Sequence, residues 1–194
     1  KAACEDCTII SNYVGVTDAA WNDPARAMEL ASTQNAQGAD IIYAAAGASG
    51  NGVINFVNEK MCFVPSVPTR ETPIDAQLAN IAKPAGYEQA CGDNAHPIFF
   101  IGVDSNQNFQ GDTDGDPTTL NFGLTSMTKS LGNVVNGTFE GGLMNVGLAE
   151  DGVDYALDEY NEALIPADLI EEVEDIRQQI IDGEIVVTDY RQLQ

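Results

Sequence analysis

The chain has 194 residues, of which 44% are hydrophobic, so it is long and apolar enough to bury the core of one good-sized domain or two small lobes. No apolar run approaches the roughly 18 residues that a transmembrane helix needs. The formal net charge of −22 repels phosphate backbones and anionic lipid headgroups, which excludes nucleic acid as an expected partner.

The first third of the chain alternates predicted strands and helices. Thr8–Val16 predicts a first strand, and Asn22–Pro24 predicts a helix start, because a capping side chain precedes a Pro in the first turn. That helix should end at Gly38, a residue suited to the left-handed cap. The apolar run Asp40–Ala46 is typical of a buried parallel strand. The next two predicted elements are a glycine-rich turn and a short helix, Gly47–Gly52 and Val53–Lys60.

A proline-containing segment with two cysteines, residues 61–97, interrupts this rhythm and is interpreted as a surface insertion. A second buried strand is predicted at Ile98–Val103, and an acidic loop follows it. The remaining predicted elements are a strand-to-helix unit, a helix and a terminal strand: Phe122–Thr138, Ala167–Asp182 and Glu184–Thr188. The alternation predicts an α/β fold in which helices flank a mostly parallel sheet.

The chain contains four cysteines, Cys4, Cys7, Cys62 and Cys91, and four cysteines allow three disulfide pairings. A zinc site would need two tight cysteine pairs, and only Cys4 and Cys7 are close in sequence. We predict a disulfide between Cys62 and Cys91 that closes the insertion. Cys4 and Cys7 are predicted to form either a local bridge or free thiols.

Candidate ligand-binding residues follow the predicted strands, where parallel sheets bind their ligands. Asp18 and Trp21 follow the first strand, and the turn containing Gly47 and Asn51 follows the second. The further candidates are Asp104, Thr125, Ser126 and Lys129. An aromatic plate, backbone N–H groups, a carboxylate and an ammonium together suit a neutral, flat, hydroxylated ligand.

Each of these features also has a simpler structural explanation. Trp21 precedes a helix and could be a packing staple, Asp104 could cap a turn, and Lys129 could be a solvated helix residue. The turn Gly47–Gly52 has the spacing G-x-x-G-x-G and not the dinucleotide fingerprint G-x-G-x-x-G, so phosphate binding is poorly supported. The convergence of these residues after successive strands favours the ligand-binding interpretation.

Two other sequence patterns give weak evidence for a metal site or an active site. Asp112, Asp114 and Asp116 imitate the start of a calcium-binding loop, but Pro117 stands at the sixth position and Gly123 at the twelfth, which favours a solvated acidic turn. The only histidine, His96, precedes Pro97 without a Ser or Cys nucleophile pattern nearby. We therefore expect neither a metal site nor an enzyme, and no cofactor.

Several motifs occur in an order that resembles a known family. The segments WNDPARAMELA, QGADIIYAAAGASGNGV, FFIGVDSNQ and LTSMTKSLGNVV are followed by GLAEDGVDYAL and IIDGEIVV. Together they resemble the basic membrane protein family of ABC-transporter substrate-binding lipoproteins, which includes purine nucleoside receptors. The resemblance spans nearly the whole chain, although residues 61–97 and the loop Asp112–Asp116 have no counterpart in it.

The resemblance implies a periplasmic-binding-protein fold of the first type, a two-lobed clamshell of which this chain is mainly the second lobe. Residues 1–125 would form the lobe's α/β core and residues 126–194 the hinge return with the C-terminal helix and strand, the first lobe being absent. By the same resemblance, Trp21 would stack on a base, Gly47 would be the strand-end glycine at the ligand, and Asp104 and Lys129 would bind ribose hydroxyls. Asp18 and Asn51 are placed only by their proximity to these motifs.

The function expected from this resemblance is capture of a nucleoside-like ligand for an ABC importer. The partners would be that small molecule and the membrane subunits of the transporter. The protein would be periplasmic or at the cell surface, with a lipid anchor in its full-length form. Two alternatives remain, namely an enzyme that binds a nucleotide cofactor through Gly47–Gly52 and a lone lobe with a structural, self-assembling role.

Overall fold

The computed structural model describes residues 7–64, 72–92, 94–129 and 146–188. Within these ranges the chain forms a four-stranded sheet, a two-stranded sheet and flanking helices. The strands are β1 (Ile41–Tyr43), β2 (Cys62–Phe63), β3 (His96–Pro97), β4 (Phe99–Asp104), β5 (Gly123–Lys129) and β6 (Val153–Tyr155). The α-helices are α1 (Pro24–Ala36), α2 (Gly50–Lys60), α3 (Asp75–Leu78), α4 (Tyr87–Cys91) and α5 (Ala167–Ile181), with 3₁₀ helices at Asp18–Asn22, Gly47–Ser49 and Asn108–Gly111.

The main sheet has the strand order β1-β4-β5-β6. Strands β1, β4 and β5 run parallel, and β6 is antiparallel to β5. Helix α2 supplies the connection after β1, and its residues Val53, Ile54 and Val57 are buried in the core beside Phe100 of β4. This confirms the predicted α/β class, a mixed sheet of mainly parallel strands with helices packed on it.

The predicted start of α1 is confirmed by its hydrogen bonds. The side chain of Asp23 accepts a bond from the backbone N–H of Arg26 at 3.0 Å, and Pro24 occupies the first helical position, where a missing N–H has no cost. Gly38 lies just beyond the helix with φ of 98°, in the left-handed conformation that ends helices. Local sequence chemistry therefore determines both ends of α1.

The predicted strand at Thr8–Val16 is wrong, because residues 8–16 form no strand. Ile9, Tyr13 and Val16 are strongly exposed, so the β-branched and aromatic residues that favoured a strand gain no buried neighbour. The prediction of a terminal strand at Glu184–Thr188 is wrong for the same reason, since this segment is irregular and Val186 and Val187 are exposed.

Strand β1 is shorter and less buried than its sequence predicted. Only Ile42 and Ala44 are buried, whereas Ile41 and Tyr43 point to the exposed face and are about half exposed. β1 pairs only with β4 in the described part of the chain, so it is an edge strand and not a fully covered one. Strand β4 fits the prediction better, with Phe99 and Phe100 both buried.

The segment between α2 and β4 packs against the core through a few side chains. Cys62, Ile74 and Tyr87 are buried, and Tyr87 stacks on Phe122 with ring centroids 6.4 Å apart. Cys62 and Cys91 form a disulfide that spans 29 residues of sequence. The segment is therefore tied to the lobe by both a covalent bond and apolar burial.

The other two cysteines are only partly described. Cys7 is disulfide-bonded, so the alternative of a free thiol is wrong for this residue, and Cys4 lies outside the described residues. The helical half of the predicted unit Phe122–Thr138 also lies outside them from residue 130 onward. No helix in the described ranges is long and apolar enough to cross a membrane.

Helix α5 is attached to the end of the sheet by charged and polar contacts. Arg177 donates to Asp151 at 2.8 Å and to Asp154 of β6 at 3.2 Å, and its side chain is mostly buried. Tyr155 of β6 donates its hydroxyl to Glu174 at 2.9 Å. The helix is therefore held against β6 and the segment before it, and its Leu169 also packs against the core.

Candidate functional site

Trp21 and Gly47 are in direct contact. Trp21 lies in the 3₁₀ helix that precedes α1 and is 60% exposed. A Cβ atom added to Gly47 would lie 3.3 Å from Trp21 Cε3 and 3.4 Å from the Trp21 carbonyl oxygen. Gly47 also has φ of 55°, which L side chains rarely adopt. Gly47 therefore serves as a flat backbone support for one part of the indole, whose remaining surface is open to solvent.

A cleft of about 410 Å³ lies beside this contact. It is lined by Asp18 and Trp21 from the 3₁₀ helix, by Ala45 and Ala46 at the end of β1, and by the preceding segment that includes Tyr13. Tyr13 is 84% exposed and is a second aromatic group on the cleft that sequence reasoning missed, since the segment was expected to be a strand. The cleft is large enough for a small ligand, whose sites usually span 300–1,000 Å³.

Asp104 and Lys129 form an ion pair between Asp104 Oδ1 and Lys129 Nζ. Each residue is the last of its strand, and Asp104 pairs in register with Thr128 of β5. Their side chains are 55% and 62% exposed, so both charges remain accessible to a ligand. Because an exposed ion pair stabilises a fold by only about 0–1 kcal/mol, stability alone is a weak reason for this arrangement.

The strand order brings Gly47, Asp104 and Lys129 to one edge of the sheet. Gly47 follows β1, Asp104 ends β4 and Lys129 ends β5, and these three parallel strands are consecutive neighbours. Adjacent strands lie about 4.8 Å apart, so the carboxyl ends of the three strands form one continuous rim. Thr125 and Ser126, predicted to lie beyond a strand end, are instead inside β5.

A buried polar network supports the backbone that carries Asp104. Gln107 Oε1 accepts from the Val103 N–H, and the Gln107 N–H donates to Ser126 Oγ, both at 2.9 Å. Ser126 is fully buried and donates onward to Asn108 Oδ1 at 2.8 Å. Sequence reasoning missed these supports, although Gln107 belongs to the quoted segment FFIGVDSNQ.

The glycine-rich turn between β1 and α2 packs against the start of α1. A Cβ on Gly52 would lie 1.9 Å from the Pro24 carbonyl oxygen, so only glycine allows the two helices to approach this closely. A Cβ on Gly50 would lie 3.5 Å from Ala44. Packing accounts for Gly52 but not for Gly50, and neither contact supports the dinucleotide interpretation. Asn51 lies in the first turn of α2 and is exposed.

The acidic loop after β4 is closed by its own hydrogen bonds. Asp112 Oδ1 accepts from the backbone N–H groups of Asp114 and Gly115 at 3.2 and 2.7 Å. The hydroxyl and the backbone N–H of Thr118 both donate to Asp116 and hold the pKa of that carboxyl below its usual value. No group of three or more His, Cys, Asp or Glu in the described ranges could hold a metal ion.

Comparison with known proteins supports the sequence resemblance. The chain is 30% identical over 181 residues to a CD4+ T-cell-stimulating antigen of Listeria innocua, covering 87% of this chain and 42% of that protein. It is 28% identical to basic membrane protein A2 of Borrelia garinii, covering 96% of this chain and 44% of the relative. It is 26% identical to the ABC transporter nucleoside-binding protein BmpA of Lactococcus lactis, covering 96% and 46%. No protein-family model matches the chain.

A solved structure agrees with the fold. An ABC transporter system solute-binding protein from Aeropyrum pernix K1 superimposes with a TM-score of 0.50 at 21% identity, covering 87% of this chain and 45% of that one. The resemblance to basic membrane proteins is thus confirmed by homologues that carry this name, and the lobe is like that of a solute-binding protein. The chain spans less than half the length of the relatives that it matches.

Proposed function

We propose that this chain is the ligand-binding lobe of an exported solute-binding protein that delivers a nucleoside-like small molecule to an ABC importer. The observation that carries the proposal is the order of the strands: the Asp104–Lys129 ion pair ends two neighbouring parallel strands, and Gly47, which contacts Trp21, follows the third. The name of the Lactococcus lactis relative, a nucleoside-binding protein of an ABC transporter, supports the same function.

Each rim residue suits one part of a nucleoside. The open surface of Trp21 offers a plate on which a purine can stack, a contact that tolerates several bases. Asp104 accepts hydrogen bonds from sugar hydroxyls, and Lys129 both donates to the sugar and neutralises the carboxylate. Asp18 on the cleft wall and Asn51 at the start of α2 are additional polar contacts. This division of roles predicts a preference for nucleosides over free bases.

The rest of a full-length protein would supply the opposing lobe and close on the ligand as a clamshell. In this proposal residues 1–125 form the α/β core of the second lobe and residues 126–194 return through the hinge. The membrane subunits of the importer would then recognise the closed form. A periplasmic or cell-surface location, with a lipid anchor on the full-length protein, accords with such a role.

Binding without catalysis is the favoured role, because the described residues of the rim offer an ion pair and an aromatic plate but no nucleophile beside a base. The alternative of a nucleotide-cofactor enzyme depended on the glycine-rich turn, in which Gly52 is used in helix packing and Gly47 lies against Trp21. The alternative of a self-assembling lone lobe predicts that a second copy covers the rim.

Titration calorimetry on the full-length, two-lobed protein tests the proposal. Inosine and guanosine should bind, the free bases hypoxanthine and guanine should bind more weakly, and NAD should not compete. Binding of NAD without binding of nucleosides would replace this proposal by the cofactor alternative. Light scattering of the 194-residue chain tests the self-assembly alternative, which a stable oligomer with no affinity for nucleosides would support.

A further inference from the structure

Ser49 connects the glycine-rich turn to the segment that carries Trp21. Its side chain is fully buried, and its hydroxyl makes two hydrogen bonds of 2.7 Å. It donates to the Ala20 carbonyl oxygen and accepts from the Asp23 backbone N–H. These two backbone groups lie on either side of Trp21 in the sequence, so a single hydroxyl holds both the entry and the exit of the turn that presents the indole.

The residues that follow Trp21 are engaged in further contacts of their own. Asp23 is the N-cap of α1, and its side chain is already engaged with the Arg26 N–H. The Pro24 that follows has no backbone N–H, and its carbonyl oxygen lies against Gly52. The turn is therefore held by three residues of the segment that joins β1 to α2: Gly47 lies against the ring, Ser49 bonds the backbone, and Gly52 packs against the first turn of α1.

From this geometry we propose that Ser49 is the positioning residue for the Trp21 side chain. Trp21 is 60% exposed, so few neighbouring side chains restrain it, and the turn that carries it is the main restraint on where the ring lies. Loss of the hydroxyl would release the turn from the loop and let the ring depart from the rim. The step from a fixed indole to ligand affinity rests on the proposed function, whereas the link between Ser49 and Trp21 does not.

Trp21 is the only tryptophan of the chain, so its fluorescence reports this turn without labelling. Ser49→Ala is compared with Ser126→Ala, a matched control. Ser126 is equally buried and its hydroxyl also donates one bond and accepts one, to Asn108 and from Gln107, beneath Asp104 and not beneath Trp21. Time-resolved fluorescence anisotropy measures local motion of the indole, and far-UV circular dichroism shows whether each variant folds.

We expect Ser49→Ala to increase the amplitude of the fast anisotropy decay of Trp21 and its quenching by acrylamide, while Ser126→Ala leaves both at wild-type values. Ser49→Cys keeps the volume with a weak donor and acceptor, so it should give an intermediate result and serves in place of the alanine variant if that one does not fold. An unchanged anisotropy in a folded Ser49 variant, or an equal change in Ser126→Ala, would overturn the proposal.

A second measurement separates this proposal from the proposed function. If the full-length wild-type protein binds inosine, Ser49→Ala should weaken that binding about tenfold through lost preorganisation of the stacking plate. Equal affinity despite a loosened indole would refute the link to the ligand. If the wild type binds no nucleoside, the proposed function fails, and the anisotropy result alone decides whether Ser49 positions Trp21.

Discussion

Asp104 Oδ1 contacts Lys129 Nζ, and the two residues end neighbouring parallel strands. Asp104 adopts φ of 69°, in the left-handed region, and the Ser105 N–H turns back to the Val103 carbonyl oxygen at 2.8 Å. Asp and Asn tolerate this conformation better than most residues, because their short polar side chains bond to nearby backbone. The position of the carboxylate thus depends on a backbone turn that suits aspartate.

Replacement of Asp104 tests its role in binding. Asp104→Ala should weaken nucleoside binding by the full-length protein by about 1.5–3 kcal/mol, the usual scale of a hydrogen bond to a charged group. The alanine must also adopt φ of 69°, so the free energy of unfolding should fall by about 1–2 kcal/mol. Asp104→Asn tolerates the turn and should weaken binding while the stability stays near that of the wild type. Calorimetry and urea unfolding measure the two effects.

The control for this experiment is Glu29→Ala on α1. Glu29 is exposed and forms an ion pair with Arg26 at 2.8 Å, so its removal changes the net charge as Asp104→Ala does. Nucleoside affinity should stay at the wild-type value in this variant. If Asp104→Ala retained full affinity for nucleosides, or if both variants lost the same amount of affinity, Asp104 would not be a ligand-binding residue.

Gly52→Ala should separate α1 from α2. The added methyl would lie 1.9 Å from the Pro24 carbonyl oxygen, a distance that requires the backbone to move. We expect a loss of about 1–3 kcal/mol in the free energy of unfolding, the usual cost of overpacking. Gly50→Ala in the same loop is the control, because its methyl would meet Ala44 at an ordinary 3.5 Å and its φ of −55° is helical. Equal stability of the two variants would contradict the close approach seen here.

Tyr87 should make the fold sensitive to alkaline pH. Burial raises the pKa of Tyr87 to about 12 from an ordinary 10.0, so the folded state retains the phenolic proton longer than the unfolded state. The associated stability is present below pH 10 and is lost as pH rises from about 10 to 12. Tyr87→Phe should therefore lose less stability across that range in urea titrations at stepped pH.

At neutral pH the same variant should be no less stable than the wild type. Tyr87 Oη is buried and has no hydrogen-bond partner among the described residues, so its removal leaves no broken bond. Two other groups also titrate in this range. Burial raises the pKa of Tyr155 to about 12 and desolvation lowers the pKa of Lys83. Both groups are present in the wild type and in the variant, so their effects on stability largely cancel in the comparison. If Tyr87→Phe lost stability more steeply than the wild type as pH rises, the pKa of Tyr87 would not be raised in the folded state.

The Cys62–Cys91 disulfide should contribute mainly by restricting the unfolded chain. For a loop of 29 residues the loop-entropy relation gives about 3–4 kcal/mol. The double variant Cys62→Ala/Cys91→Ala should lose about this amount in urea unfolding, and it leaves the disulfide of Cys7 in place, which chemical reduction would not. A midpoint equal to that of the wild type would show that burial of Ile74 and Tyr87 suffices to hold the segment.

The elements that the sequence predicted correctly are those determined by local chemistry. The cap at Asp23, the proline after it and the left-handed Gly38 determine α1, and the apolar run of β4 forms a buried strand. The strands predicted at Thr8–Val16 and Glu184–Thr188 failed because a strand needs a neighbour to bond with, and local composition does not state whether one is present.

The candidate site also has a part that the sequence predicted and a part that it did not. The rule that ligands lie beyond strand ends was enough to suggest that Gly47, Asp104 and Lys129 share a rim, once the strands were taken as parallel. The supports beneath the rim were not visible in the sequence. Ser49 was counted as part of a glycine-rich turn, and its bonds to Ala20 and Asp23 depend on the packing of two helices that are separate in sequence.

β1 lies at the edge of the sheet, so it is less firmly attached than the other two strands that form the rim. β1 is hydrogen-bonded to a neighbour on one side only in the described part of the chain, whereas β4 and β5 each have neighbours on both sides. Detaching β1 from the sheet breaks a single ladder, while detaching β4 or β5 breaks two. β1 is therefore the least firmly bonded of the three strands that form the rim, so amide exchange should be faster in β1 than in β4.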